Sequence, residues 1–447
     1  MDAFSRNENP RPSELGRGTL GSRIDAVVWA TRPMNRRTFS FTVGTLLAAS
    51  VALLLVPPLR AATTFRVVYS FTGGAGGSTP AYGLTWDKMG NLYGVAGGGS
   101  MGYGMVFELS PHPTGWAETV LHDFGFYVDG ETPTGILVFD PHGNLYGNTG
   151  DGPNINNHLY AGAVFELSPS ANGTWKETIL YMWPGGGQPE SGLVRDGAGN
   201  LYGNHGLTFE LSPGSGGQWS EREIGAPPTS FSDSALTPKA GNLYNAGGAG
   251  KYGQGMVYEF TPKKDGSWQQ IDLYDFKGNT GGGSDGANPT AGVVFDAKGN
   301  IYGATGSGGI YSNACYAYGK VNGCGTVYKL TPTAHGQWKE TVLHRFEYAN
   351  NGFGPGNTLT IDKAGNLYGV AVGGNNACQN GCGLIFKLSP TKSGKLTYSV
   401  VHRFTDAKDD GAWPDTTMVF DKQQKHLYGT TLYGGTYNSG IVFELTP

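Results

Sequence analysis

The chain has 447 residues, of which 75 are glycine, and only 15% are charged; the usual glycine share is about 7%. Glycine weakens helix interiors by about 1 kcal/mol each relative to alanine, which excludes a long helical protein, and the glycines keep no three-residue period, which excludes collagen. A 38% apolar content excludes wholesale disorder, and a net charge of −4 without basic, aromatic-interleaved stretches argues against nucleic acid as a partner.

In chain order, residues 1–33 carry no pattern and read as an unstructured extension or as sequence ahead of a true start at Met34. Residues 34–62 combine Arg36-Arg37-Thr38-Phe39, an apolar core over 43–56 and the small residues Ala61-Ala62. That is the layout of a twin-arginine-like signal peptide. The core falls short of the roughly 20 residues that cross a bilayer as a helix. Cleavage near Ala62 is expected, with an uncleaved anchor as the alternative. The working protein, 63–447, is therefore expected to be exported, periplasmic or secreted, with no membrane span in the mature chain.

From residue 63 the sequence repeats. Asp-x-x-Gly-Asn-Leu-Tyr-Gly stands at 87–94, 140–147, 196–203 and 362–369, with Ile301 for Leu at 296–303. Degenerate copies stand at 238–245 and 421–429, and the seven copies are spaced by 42 to 66 residues. Each unit reads as four strands. An apolar strand a ends at the Asp, which can cap its own turn, and the Gly supplies the positive φ of a tight hairpin. Strand b is Asn-Leu-Tyr-Gly. After a Gly-rich loop comes strand c, such as Gly104–Ser110, stopped by Pro111. Strand d starts at a Trp, as in 338–346, and alternates with period two. Seven such units predict an all-β, seven-bladed β-propeller with four-stranded blades. The last unit lacks a strand d and the mature chain opens with a lone one, so residues 65–71 are expected to join the C-terminal blade and close the ring.

The recurring Asp-x-x-Gly-Asn-Leu-Tyr-Gly, Gly-x-Val-Phe-Glu-Leu-Ser-Pro and Trp…Leu-His-x-Phe strings over 65–447 resemble the GloVer tandem-repeat proteins, exported bacterial proteins named for a choice of C-terminal anchors. The resemblance implies export and carries over no catalytic residue. The sequence departs from it by ending at Pro447 without an anchor helix or sorting tail, which points to a secreted or periplasmic protein.

The copies serve as internal controls. The strand-c acid is Glu108, Glu166, Glu210, Glu259 and Glu444 but Lys329 and Lys387, a charge reversal that predicts a solvent-facing position. One strand-d position holds His122, His344 and His402 but Tyr69, Tyr181 and Tyr274, which reads as packing rather than metal binding. The repeated tyrosine of strand b is expected to pack between blades. Gly-x-Ser-x-Gly at 98–102 and 282–286 and the dinucleotide-like 248–253 lack the following helix that their chemistry needs, so no catalytic residue is assigned.

Two constellations are candidates for ligand binding. Asp129, Asp285 and Asp410 precede the Gly and Pro that open strand a, on the face shared by the d–a and b–c loops, where they could ring the channel mouth. Arg195 replaces an apolar residue in the third unit, and His205 follows a shortened b–c loop, so the pair could floor a notch. The even cysteine count, Cys315, Cys324, Cys378 and Cys382, predicts two disulfides, one within each loop, with a zinc site as the alternative. The expected function is non-enzymatic binding of a glycan or protein partner by a monomer through the loop-rich face. No metal site is assigned and no cofactor is expected beyond, at most, a structural cation. The alternative is a lactonase-like hydrolase or lyase with its site at the channel mouth.

Overall fold

Each repeat string folds into a self-contained polar corner. Asp87 Oδ1 accepts the backbone N–H groups of Met89, Gly90 and Asn91, at 2.8, 2.7 and 2.9 Å. Its Oδ2 accepts the Asn91 amide at 2.9 Å and the Tyr93 hydroxyl at 3.2 Å. Asp140, Asp196, Asp296 and Asp362 repeat the arrangement with their own Asn and Tyr. The Asp, Asn and Tyr of the motif are thus fixed together by the turn they build.

The structure is a computed structural model that describes residues 63–447, apart from 126–127, 156–157, 186, 190, 226–234, 279–284, 290, 311–314, 316–322, 349–350, 375–377 and 379–380. The expected signal peptide and the 1–33 extension lie outside the described residues. Seven antiparallel four-stranded blades, ordered a–b–c–d, occupy 85–123, 131–182, 194–225, 237–275, 294–345, 360–403 and, split across the termini, 419–446 with 64–70. The closing strand Thr64–Ser70 pairs antiparallel with Ile441–Thr446. It lies one residue ahead of the expected 65–71. No helix among the described residues is long and apolar enough to cross a membrane.

The core is divided into inter-blade layers. Tyr428 of blade 7 packs with Leu84 and Phe107 of blade 1, and Tyr93 of blade 1 with Leu137 and Phe165 of blade 2. Tyr146, Tyr202, Tyr244, Tyr302 and Tyr368 continue the series. The glycine after six of these tyrosines lies under the aromatic ring of strand c, where a Cβ at Gly147 would sit 2.5 Å from Phe165 Cζ, while Asn245 follows Tyr244. The strand-c acid is not solvent-facing as its charge reversal predicts. Glu210 and Glu444 are buried, paired with Arg222 and Arg66. The position faces the repeated tyrosine, which tolerates either sign: Tyr428 donates to Glu444 at 2.5 Å, whereas Lys329 and Lys387 lie over the Tyr302 and Tyr368 rings at 5.7 and 5.1 Å.

Neighbouring blades are registered by a clasp at the entry of strand a. The residues before the entry prolines, Thr79, Thr132, Asn288, Gly354 and Trp413, have φ of 45°, 54°, 52°, 60° and 57°. Their N–H groups donate to the carbonyls of Ser439, Tyr103, Gln254, Cys324 and Cys382 on the preceding blade, at 2.8 to 3.0 Å. The next residue is glycine each time, because the proline ring of the following blade fills the place of a side chain. A Cβ at Gly104 would lie 2.2 Å from Pro133 Cδ, and one at Gly440 would lie 2.5 Å from Pro80 Cδ. The disulfides form within each loop as expected, Cys315–Cys324 and Cys378–Cys382, and no described cysteine is free, which sets aside the zinc alternative. Cys324 and Cys382 are themselves clasp acceptors, so each disulfide ties its loop down where two blades meet.

Candidate functional site

The three entry-loop carboxylates are engaged within their own loops. Asp129 Oδ2 and Asp410 Oδ1 each lie 2.9 Å from the Nε2 of His122 and His402, and the Tyr274 hydroxyl donates to Asp285 at 2.8 Å. Backbone N–H groups of Gly125, Lys277 and Thr405 bind the same carboxylates. Asp285 and Asp410 are buried. Each acid therefore positions the strand-d residue of the strand that precedes it, at the outer edge of the ring.

That strand-d residue faces the next blade. Tyr69 donates to Glu118 at 2.8 Å, while His344 stacks on Tyr398 and His402 on Phe65 at 3.8 and 3.7 Å. Glu177 and Glu340 occupy the equivalent place opposite His122 and Tyr274, and each keeps one buried oxygen without a hydrogen bond among the described residues. Burial pushes both carboxyls up to about 7, and burial pushes His344 down to about 4. The signs oppose each other. The raised acids contribute stability that is complete below their ordinary value of 4.5 and is lost as pH rises through about 7. The depressed histidine contributes stability that is present above 6.5 and lost as pH falls through about 4. Maximal thermal stability is expected in weak acid. Glu177→Gln and Glu340→Gln should raise the melting temperature in mild alkali by about 2–4 °C and leave it unchanged in acid, as scanning calorimetry would read.

Arg195 and His205 are not brought together. Arg195 pairs with Leu201 beside the a–b turn, while His205 follows Asn204 at the other end of strand b. Four residues of strand separate them, about 13 Å. Arg195 lies beside Tyr146 of blade 2 and reaches Asp196 O at 3.4 Å. His205 is buried against Trp183, with ring centroids 4.7 Å apart, and burial lowers its pKa.

A concave feature lies where the entry segments of five blades meet, at the channel mouth. One cavity of about 330 Å³ is lined by Tyr82, Thr132, Thr134, Gly150, Asp151, Gln188, Asn357 and Asp415. A second of about 360 Å³ shares Tyr82, Thr132 and Asp415 with it and extends past Thr79, Tyr103 and Leu432. Together they are a recess over blades 6, 7, 1, 2 and 3, of the size of small-molecule sites. Its wall combines hydroxyls, amides and carboxylates with glycine backbone and the apolar Ala81, Ala96, Pro133 and Leu432, with no lysine or arginine among the described lining residues. Gln188 Nε2 donates to Asp151 at 2.6 Å, and Asn357 Nδ2 to Asp415 at 3.0 Å. Tyr82 holds φ of 70°, and its strand runs parallel to Thr416–Thr417 of blade 7. Bulky residues at positive φ are outliers that need support from their surroundings. No group of three or more metal-ligating residues occurs among the described residues.

Behind the wall runs a buried polar seam. Thr134 donates to Pro189 O at 2.7 Å, and the Asn148 amide donates to Ser191 O at 2.7 Å. Asn148 Oδ1 and Asn204 Nδ2 are buried without a hydrogen bond among the described residues. The repeats already marked these two asparagines. Val95, Ala304 and Val370 hold the same place after the strand-b glycine, Ala246 holds it after Asn245, and Thr430 holds it in blade 7. Tyr82 likewise stands where other copies have Gly135, Ser191, Ala291, Asn357 and Thr416. Buried polar groups in place of apolar ones require partners, which water or a ligand hydroxyl supplies.

No curated protein matches the chain. Among solved structures it is similar to a luciferin-regenerating enzyme, with 14% identity, a TM-score of 0.44, and coverage of 86% of this chain and 95% of that one. It is also similar to a Penicillium chrysogenum α-L-arabinanase complexed with arabinobiose (13%, 0.43, 86% and 99%). A third is an auxiliary nutrient binding protein from Bacteroides ovatus (13%, 0.42, 86% and 76%). The model of the Gloeobacter/Verrucomicrobia repeat matches residues 56–210 and 314–447, more than half of the chain. With its seven blades, its inter-blade tyrosines and its recurring turn motif, the chain belongs to the Gloeobacter/Verrucomicrobia repeat family.

Proposed function

We propose that the protein is an exported, non-enzymatic binder of a neutral glycan, held in the channel-mouth recess of the loop-rich face. The observation that carries this reading is the recess wall: two amide–carboxylate pairs with threonines and tyrosines, set among glycines and a few apolar side chains, and no lysine or arginine among the described lining residues. Sugar hydroxyls donate to carboxylates and amide carbonyls and accept from amides and hydroxyls, whereas an anionic ligand would meet Asp151 and Asp415 unopposed. The backbone strain at Tyr82 and the one unpaired polar atom of each asparagine behind the wall, Asn148 Oδ1 and Asn204 Nδ2 among the described residues, support a preorganised site. Two disulfides in the loops accord with an oxidising compartment. An array of immobilised neutral and uronic-acid-containing glycans, probed with the exported protein, is the test. Retention on neutral glycans is expected, and retention confined to anionic ones would contradict the reading.

A further inference from the structure

The clasp position in blade 7 carries a residue poorly suited to it. Its backbone has positive φ in every blade named above, which asparagine and glycine accept readily and which Thr79, Thr132 and Trp413 take at a cost. Blade 7 places Trp413 there, 37% exposed, at φ 57°. Its ring meets Tyr433, itself 43% exposed, edge to face at 6.2 Å. Ala412 pairs with Tyr433 and Pro414 with Thr431, so the two rings rise from adjacent strands of the same sheet. Neither ring lines the two cavities, but each stands close in sequence to a residue that does: Leu432 precedes Tyr433, and Asp415 lies two residues after Trp413. The fold therefore exposes an indole two residues from a carboxylate of the recess wall, at a backbone position where glycine would be easier.

Resting on the glycan reading, we propose that Trp413, with Tyr433, is a stacking subsite for a second sugar unit, so that the ligand is a neutral oligosaccharide whose chain leaves the recess across this pair. The apolar face of a pyranose covers an aromatic ring while its hydroxyls remain in water, and an exposed indole with a tyrosine at its edge provides that surface. Asp415, two residues further along the chain and just past the end of that strand, holds the unit in the recess. Affinity then depends on chain length through Trp413 and on the first unit through Asp415.

The test is calorimetric titration of the full chain, produced in a host that exports it, with neutral gluco-, xylo-, manno-, galacto- and arabino-oligosaccharide ladders from one unit to six. Trp413→Gly restores the residue blade 6 carries at this place, Gly354, and so keeps the clasp backbone. Trp413→Phe retains an aromatic face, and melting curves verify that both variants fold. The expected result is a gain in affinity on adding a second unit, a loss of about tenfold in Trp413→Gly for the longer chains alone, and partial retention in Trp413→Phe. Affinity independent of length in the wild type, or Trp413→Gly binding long chains as tightly as the wild type, would overturn the subsite and leave the glycan reading standing. Absence of binding by every ladder would overturn both.

Discussion

A chain lacking residues 63–71 is expected to lose the native ring and to aggregate rather than melt cooperatively. Thr64–Ser70 is strand d of the last blade, and without it Ile441–Thr446 becomes an open edge with unpaired backbone groups. The loss extends beyond the ladder. Phe71 is fully buried and meets Phe107 of blade 1 at 5.1 Å, so its removal opens a void between the first and last blades. Removing one buried phenylalanine costs about 3–5 kcal/mol, and the same deletion takes Phe65 from its stack on His402 and Arg66 from buried Glu444. Whole-domain stabilities are about 5–15 kcal/mol, so the sum reaches the scale of the fold. Size-exclusion chromatography with a circular-dichroism melt reads the outcome. A monomeric chain with an unchanged melting temperature would contradict closure by this strand.

Gly440→Ala is expected to be strongly damaging, as a methyl placed at a clasp glycine where the first and last blades meet. Its φ is 94°, and a Cβ there would lie 2.5 Å from both Pro80 Cδ and the Thr431 carbonyl oxygen. Neither neighbour is a flexible side-chain end. Strain and overpacking each cost about 1–3 kcal/mol, so a loss of about 3 kcal/mol or more is expected. Pro80→Ala in the same chain should recover part of it, because the pair is in contact and does not add independently. Chemical denaturation of the single and double variants measures this. A fall no larger than that from Gly143→Ala, whose Cβ would meet nothing within 4 Å although its φ is also positive, would remove the clasp from the account of how blades are registered.

The repeats made the ring legible because each Asp-x-x-Gly-Asn-Leu-Tyr-Gly is a local device: the carboxylate, the amide and the tyrosine bond to one another within seven residues. Inter-blade packing of the tyrosines and the strand exchange at the termini followed from the same copies. The entry segments were less legible. Thr132 and Trp413 precede proline, which favours extended backbone, and only the glycine and proline of adjoining blades impose their positive φ. Arg195 and His205 were grouped because a shortened loop could leave a notch, but the register of Leu201–Asn204 sets them at opposite ends of a strand. The recess was hidden for a related reason. Tyr82, Asp151, Gln188, Asn357 and Asp415 come from five blades, and only closure of the ring assembles them. Asn148 and Asn204 were available to the comparison of copies, where a polar residue replaces Val or Ala. Charge and histidine outliers drew attention first, and those proved to serve the outer seam.

The channel-mouth site is tested most directly by titrating Asp415→Asn beside the wild type with a neutral oligosaccharide retained on the glycan array. A carboxylate hydrogen bond to a ligand hydroxyl is worth about 1.5–3 kcal/mol, so binding at least about tenfold weaker in the variant, with an unchanged melting temperature, is the predicted result. Equal affinity in the two proteins would place the ligand elsewhere on the propeller and contradict the account.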